Sequence, residues 1–255
     1  VYRDGGITLF QAGFTMVNQG RSATSPSPLC LQGAVPFGVG GRRLCFTHPL
    51  DPNRCVKVAR QDDQRTIRMN RKRVIPARFR RLYDNNADEL KTLSDLFKRI
   101  GPEASRHLPC CYGMFPTDLG PGLVLDLIRD ADGRISRSLR ELLSTGYAPE
   151  TFRSAFNEFG DFLTQHAVLT RALLDHNIVA QQQSNGQWRL YLIDGLGDRA
   201  WLSLASWSRS LARAKIQRRL TEAWQRFETL WRQGGVPKQL IESSSWGQGF
   251  LNHRG

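Results

Sequence analysis

Apolar and polar positions change their period part-way along this chain. Between Leu31 and about Arg60 the pattern is extended, with short β-rich runs at Leu44-Cys-Phe46 and Cys55-Val-Lys57-Val58. The intervening Thr47-His-Pro-Leu-Asp-Pro-Asn53 is dense in turn formers, so the two runs predict a hairpin. From Ala87 to Ile100 the apolar residues Leu90, Leu93, Leu96, Phe97 and Ile100 recur at helical spacing, and Gly101-Pro102 ends that helix. Cys110–Phe115 and Gly122–Ile128 predict a second hairpin. Beyond Gly133 the period turns helical, at Leu139–Ser144 and from Pro149 to about Gln165. A strand pair follows around Ile178 and Trp188–Ile193, joined by Ser184-Asn-Gly186. The last strong element runs from Leu204 to Trp231. It sets Leu220, Trp224, Phe227 and Trp231 on one stripe, which reads as core rather than as a stacking platform.

Strands with one helix come first, and helices with one small hairpin follow. That segregation predicts an α+β chain of two lobes, an antiparallel-sheet lobe and a mostly helical lobe, with a cleft between them. The expected boundaries are a leader over 1–30, a first lobe over 31–128, a second over 129–233 and a tail over 234–255. Arg21-Ser-Ala-Thr-Ser-Pro-Ser-Pro28 has little to bury and reads as flexible, and Gln61–Arg81 reads as a mobile basic loop.

Charge adds a constraint on partners. The net charge is +13 and the sequence pI about 10.2, with hydrophobic and charged content ordinary for a globular protein. Such a balance favours polyanions, whether nucleic acid, nucleotide phosphates or an anionic surface, against the alternative of a solvated basic exterior. Six of the 36 basic residues are lysine, which makes Lys57 in a strand more noticeable. No apolar run is long enough to span a bilayer, and no secretory signal pattern is present. Cys30, Cys45, Cys55, Cys110 and Cys111 show no C-x-x-C spacing, so they read as reduced thiols of a cytoplasmic protein.

The chemistry-bearing residues fall in two distant stretches. Gly38-x-Gly40-Gly41 precedes a strand, where glycine lets the backbone approach phosphate oxygens; an ordinary turn is the alternative. A dinucleotide fingerprint would instead follow a strand and open a helix, so that reading is disfavoured. Lys57 alternates with Val56 and Val58 and needs an acidic or phosphate partner if half-buried. Glu89, opening the first helix, is the candidate partner, with a surface acid as the alternative. Asn177 and Asp194 flank the later hairpin and carry oxygens suited to Mg²⁺, although Asp-Gly turns are common. His176 lacks companions at metal-ligand spacing and reads as a turn or core residue. No Ser-His-Asp or Cys-His set is traceable.

In this order the pieces resemble the protein-kinase-like superfamily, and more closely the PhoP-regulatory-network YrbL family. The matching residues are Pro36–Pro49, Arg54-Cys-Val-Lys57-Val, Asp88-Glu89-Leu90, Tyr112-Gly113, Gly122–Ile128, Asp130–Gly133, Asn177-Ile and Ala205-Ser-Trp207-Ser. The resemblance implies a two-lobed kinase-like fold binding ATP and Mg²⁺. Gly38 and Gly40 would lie over the phosphates, with Arg43 at the usual third glycine position. Lys57 would hold phosphates and pair with Glu89, and Cys55 would floor the adenine pocket. Asp126 to Ile128 would form the hinge, and Asn177 and Asp194 would hold magnesium. One departure bears on activity. Kinases carry His-Arg-Asp-x-x-x-x-Asn, and counting back from Asn177 gives Thr170, Arg171 and Ala172. Alanine can neither orient nor deprotonate an attacking hydroxyl, so the resemblance implies weak or absent phosphotransfer, a pseudokinase or atypical kinase. No long activation segment or Ala-Pro-Glu follows Gly197. Two alternatives remain at this level: a non-enzymatic nucleic-acid-binding module, from the basic runs Arg65–Arg81 and Arg209–Arg219, and a compact kinase for a small molecule or sugar–lipid.

Overall fold

The computed structural model describes residues 27–62, 85–171, 173–196 and 209–255. The first 26 residues, the basic stretch 63–84, Ala172 and 197–208 lie outside it, and with them most of the expected leader and basic loop. Strands β1 (Gly38–Val39), β2 (Arg43–His48), β3 (Asp51–Ala59), β4 (Cys111–Phe115) and β5 (Gly122–Asp126) form one antiparallel sheet in the order β1-β2-β3-β5-β4. Helix α1 (Asn85–Ile100) packs on it through Leu93 and Leu96. The α+β lobe order is the one that the periodicity predicts.

Alternation along β3 decides what reaches the cleft. Cys55 and Lys57 point to one face and line the cleft. Val56 and Val58 point to the other, where they cluster with Phe46, Val124 and Leu31. That outer face is covered by the segment before β1. The Leu29 N–H donates to the Pro116 carbonyl at 2.9 Å, and Leu31 is 1% exposed. Leu29, inside the expected leader, and Leu31 thus pack on the first lobe, because the Val56–Val58 face of its sheet is apolar and needs a cover.

In the second lobe β6 (Arg137–Ser138), β7 (Ile178–Gln182) and β8 (Trp188–Leu192) form a small antiparallel sheet. Helix α2 (Leu139–Ser144) is capped by the Ser138 hydroxyl, which accepts from the Glu141 N–H at 3.1 Å. The element predicted from Pro149 opens as a 3₁₀ turn (Pro149–Phe152) and becomes α3 only at Arg153, running to Gln165. Helix α4 (Arg209–Arg232) packs on α3 through Leu220, Trp224 and Phe227, with the Phe156 ring 5.1 Å from that of Trp224. Trp231 departs from the predicted stripe and stands 42% exposed, one turn beyond Phe227 at the end of α4. After Gly234-Gly235 and a short α5 (Lys238–Ser243) the chain turns back toward the first lobe. Among the described residues no helix is long and apolar enough to cross a membrane.

Candidate functional site

A cavity of about 720 Å³ lies between the lobes. It brings together Gly38, Gly40, Lys57, Glu89, Asp126, Ile128, Asn177 and Asp194, every candidate that the sequence analysis selects for the site. Their arrangement is set by the elements beneath them. The β2–β3 hairpin delivers Lys57, the first turns of α1 deliver Glu89, and the end of the β7–β8 hairpin delivers Asp194.

The ammonium of Lys57 donates to Glu89 Oε1 at 2.8 Å and to the Ile193 carbonyl at 2.7 Å. Both side chains are over nine-tenths buried. Burial is the largest influence and pushes the lysine toward its neutral form, but the carboxylates of Glu89 and Asp194 together outweigh it, so the Lys57 pKa is raised. Arg43 completes the cluster. Its Nη1 donates to the other Glu89 oxygen and to Asn86 Oδ1 at 3.2 Å, and its Nη2 donates to Asp194 Oδ2 at 2.6 Å. Asn86 in turn donates from Nδ2 to the Lys57 carbonyl at 2.8 Å. Two cations and two carboxylates thus interlock across the cleft. Asp194 is the wettest of them, with its side chain half exposed. Its remaining burial would raise its pKa, but Arg43 and then Lys57 hold it well below the usual carboxylate range.

Magnesium needs hard oxygens in near-octahedral order at about 2.0–2.1 Å. Asp194 and Asn177 have suitable atoms, but Asp194 is already engaged. One oxygen accepts from Arg43 and the other from the Gly195 N–H at 2.6 Å. A dication there would sit against a buried guanidinium that cannot lose its charge. Among the described residues no group of three or more His, Cys, Asp or Glu could hold a metal. As arranged, the donor set does not fit the implied magnesium ion.

The hinge reading meets a similar constraint. The Asp126 carboxylate turns to β4, accepting from the Cys110 N–H at 2.8 Å and the Tyr112 hydroxyl at 2.7 Å. The Leu127 N–H donates to the Asn53 carbonyl at 2.8 Å, and the Ile128 carbonyl accepts from the Ser136 N–H at 3.0 Å. The Cys55 thiol lies 3.6 Å from the Asp126 carbonyl, and burial pushes its pKa up to about 12.

Residues 29–228 match the model of the family described as PhoP regulatory network protein YrbL. The chain belongs to the YrbL family. It is 27% identical over 195 residues to "Uncharacterized protein YrbL" of Escherichia coli (strain K12), a match covering 75% of this chain and 82% of that one. The Shigella flexneri protein of the same name gives the same figures. A crystal structure of Rad53 1–466 in complex with AMP-PNP is similar at a TM-score of 0.45 and 12% identity, covering 80% of this chain and 52% of that one.

The segment matched to the YrbL family ends before a part of the cleft that reads as tail in the sequence. Trp246, Gly249, Phe250 and Leu251 line the cavity. The signal was present as an aromatic and apolar run interrupted by Gly247 and Gly249, but nothing in its pattern named a partner. In the sequence Arg43 reads only as a departure from glycine. Its tie to both carboxylates follows from the tertiary approach of β2, α1 and Asp194. His176 sits in a 3₁₀ turn (Asp175–Asn177) with its ring 5.5 Å from that of Trp246. Arg171, at the expected catalytic-loop arginine, donates to Asp88, while Ala172 lies outside the described residues.

Proposed function

We propose that this YrbL-family chain is a kinase-like regulatory protein that binds a nucleotide such as ATP between its lobes, with phosphotransfer weak or absent. The observation that carries the reading is the buried Lys57–Glu89 pair at 2.8 Å, facing one cavity together with Asp194 and the glycine turn. A buried ammonium is costly unless paired, and in a cleft of this kind it is positioned to meet an anion. Weak catalysis is supported by Ala172 at the catalytic-loop position and by the engagement of Asp194 with Arg43. Thermal melting with millimolar ATP, in magnesium and in EDTA, tests binding, because a ligand of the folded state raises the melting temperature. The expected result is an upward shift that Lys57→Met abolishes while the variant remains folded by circular dichroism. No shift under either condition refutes the proposal. Labelled ATP with cell extract tests turnover, and rapid transfer to any acceptor refutes the pseudokinase part.

The nucleic-acid reading is less well supported. Two arginines of the basic run on α4, Arg218 and Arg219, share Glu222, at 3.5 and 2.9 Å. That internal pairing lowers the charge available to phosphates.

A further inference from the structure

The chain's last residues are bonded to both lobes across the mouth of the cleft. On the first lobe, the Gly247 N–H donates to the Val39 carbonyl at 2.8 Å, and the Asn252 N–H donates to the Phe37 carbonyl at 2.8 Å. Leu251 pairs with Gly38 as an antiparallel bridge, so the segment acts as an extra edge strand on β1. Arg60 reinforces the join. Its guanidinium donates to the Gly40 carbonyl at 3.1 Å and also to the Ser245 carbonyl. On the second lobe, the Ser138 hydroxyl donates to the Gly249 carbonyl at 2.6 Å, and the Leu251 N–H donates to the Glu141 carboxylate at 3.1 Å. Arg254 donates from Nε to the Ile135 carbonyl at 2.9 Å and pairs with Asp130, and its own carbonyl accepts from the Ile135 N–H at 2.7 Å.

This ladder holds the backbone in an unfavourable conformation. Gln248, a non-glycine residue, has φ of 54°, and Gly249 follows at φ 89°. Left-handed non-glycine backbone persists only where its surroundings over-determine it. At Gly249 a Cβ would lie 2.5 Å from the Cβ of His176, so only glycine lets the segment approach that wall. The cavity persists with Phe250 and Leu251 among its lining, so the segment borders the space rather than filling it.

We infer that Ser245–Arg254 is a clamp built into the cleft: it fixes the glycine turn Gly38–Arg43 against the second lobe and supplies Phe250 and Leu251 as the apolar wall for the ligand's base. The ligand part rests on the nucleotide reading; the clamping part does not. Pinning β1 pre-organises the turn whose backbone would approach phosphates, so less ordering remains for a ligand to impose.

The test uses the full chain and Gly249→Ala, with Gln248→Gly as its counterpart that relieves the left-handed strain. Hydrogen exchange is read at 38–43, at 245–255 and on β3 and β5, and affinity is read with a fluorescent ATP analogue. Gly249→Ala is expected to speed exchange about tenfold or more at both 245–255 and 38–43, leave β3 and β5 protected, and weaken the analogue about tenfold. Gln248→Gly is expected to keep both segments protected. Faster exchange confined to 245–255 overturns the clamp. Coupled exchange with unchanged affinity overturns the wall. If the parent chain does not bind the analogue, the nucleotide reading fails, and the exchange data alone decide the clamp.

Discussion

Glu89 is the keystone of the ion cluster, and its replacement by glutamine has a calculable consequence. The carboxylate accepts from Lys57 at 2.8 Å and from Arg43, with its side chain 8% exposed. Gross attraction between unit charges at that separation is about 6 kcal/mol at an effective dielectric near 20. Most of it is offset by the cost of dehydrating the ions, so the net worth of the pair is small. Removing one partner is a different matter. Glutamine leaves Lys57 on the neutral Ile193 carbonyl and Arg43 on Asn86 and the half-hydrated Asp194, two buried cations short of one negative charge. Breaking a buried pair in this way costs about 3–5 kcal/mol. Lys57→Met is the control. It keeps the length and apolar stem, and Glu89 retains Arg43, so the loss is on the order of 1–2 kcal/mol, one charge-assisted hydrogen bond less the lysine's dehydration. Urea unfolding measures both, through midpoints compared at constant m-value. For Glu89→Gln the melting temperature falls by roughly 10 °C. A Lys57→Met variant as destabilised as Glu89→Gln, or a Glu89→Gln cost below about 1 kcal/mol, would refute the claim that Glu89 neutralises both cations.

Other consequences can be read from single side chains. Asp194 has a depressed pKa, so its contribution to stability is present above the unfolded carboxylate value near 4 and is lost as pH falls toward the lower folded value. Asp194→Asn should therefore flatten the acid limb of stability below about pH 4 relative to the parent, as chemical denaturation across pH would measure. Burial pushes Cys55 up to about 12, whereas Cys30 is exposed; a thiol reagent at pH 8 should label Cys30 in the folded chain and Cys55 only after unfolding. Gly122 packs where a Cβ would lie 2.5 Å from Val56, so Gly122→Ala should cost about 1–3 kcal/mol by overpacking, read from the urea midpoint.

Legibility in the sequence followed the range of the interaction. The hairpins and α1 were readable because their signals are local: turn formers between β-rich runs, and leucines at helical spacing closed by Gly101-Pro102. For the Lys57–Glu89 pairing the residues offer a candidate and the resemblance singles it out, since 32 residues separate the two and no periodicity links them. Three features were not readable. Leu29 looks like the end of a polar leader until the outer face of the sheet is seen to need a cover. Arg43 reads as a lost glycine, and its partner Asp194 lies 151 residues downstream. Gly249 falls in the expected tail, and its close approach to His176 depends on where α2 and the 3₁₀ turn have put that wall.

The groups that would meet a ligand also hold the lobes together. Lys57 reaches the Ile193 carbonyl at 2.7 Å, Arg43 reaches Asp194 at 2.6 Å, and Arg171 reaches Asp88, each bond crossing from one lobe to the other. An anion drawing on Lys57 or Arg43 meets a cation whose charge is already shared with Glu89, so it competes with that carboxylate for the field of both groups. A chain selected for rapid turnover gains from donors left open for substrate. Here the Lys57 ammonium uses two of its three N–H donors, on Glu89 and Ile193, and the Arg43 guanidinium three of its five, on Asn86, Glu89 and Asp194, so each keeps capacity for an anion.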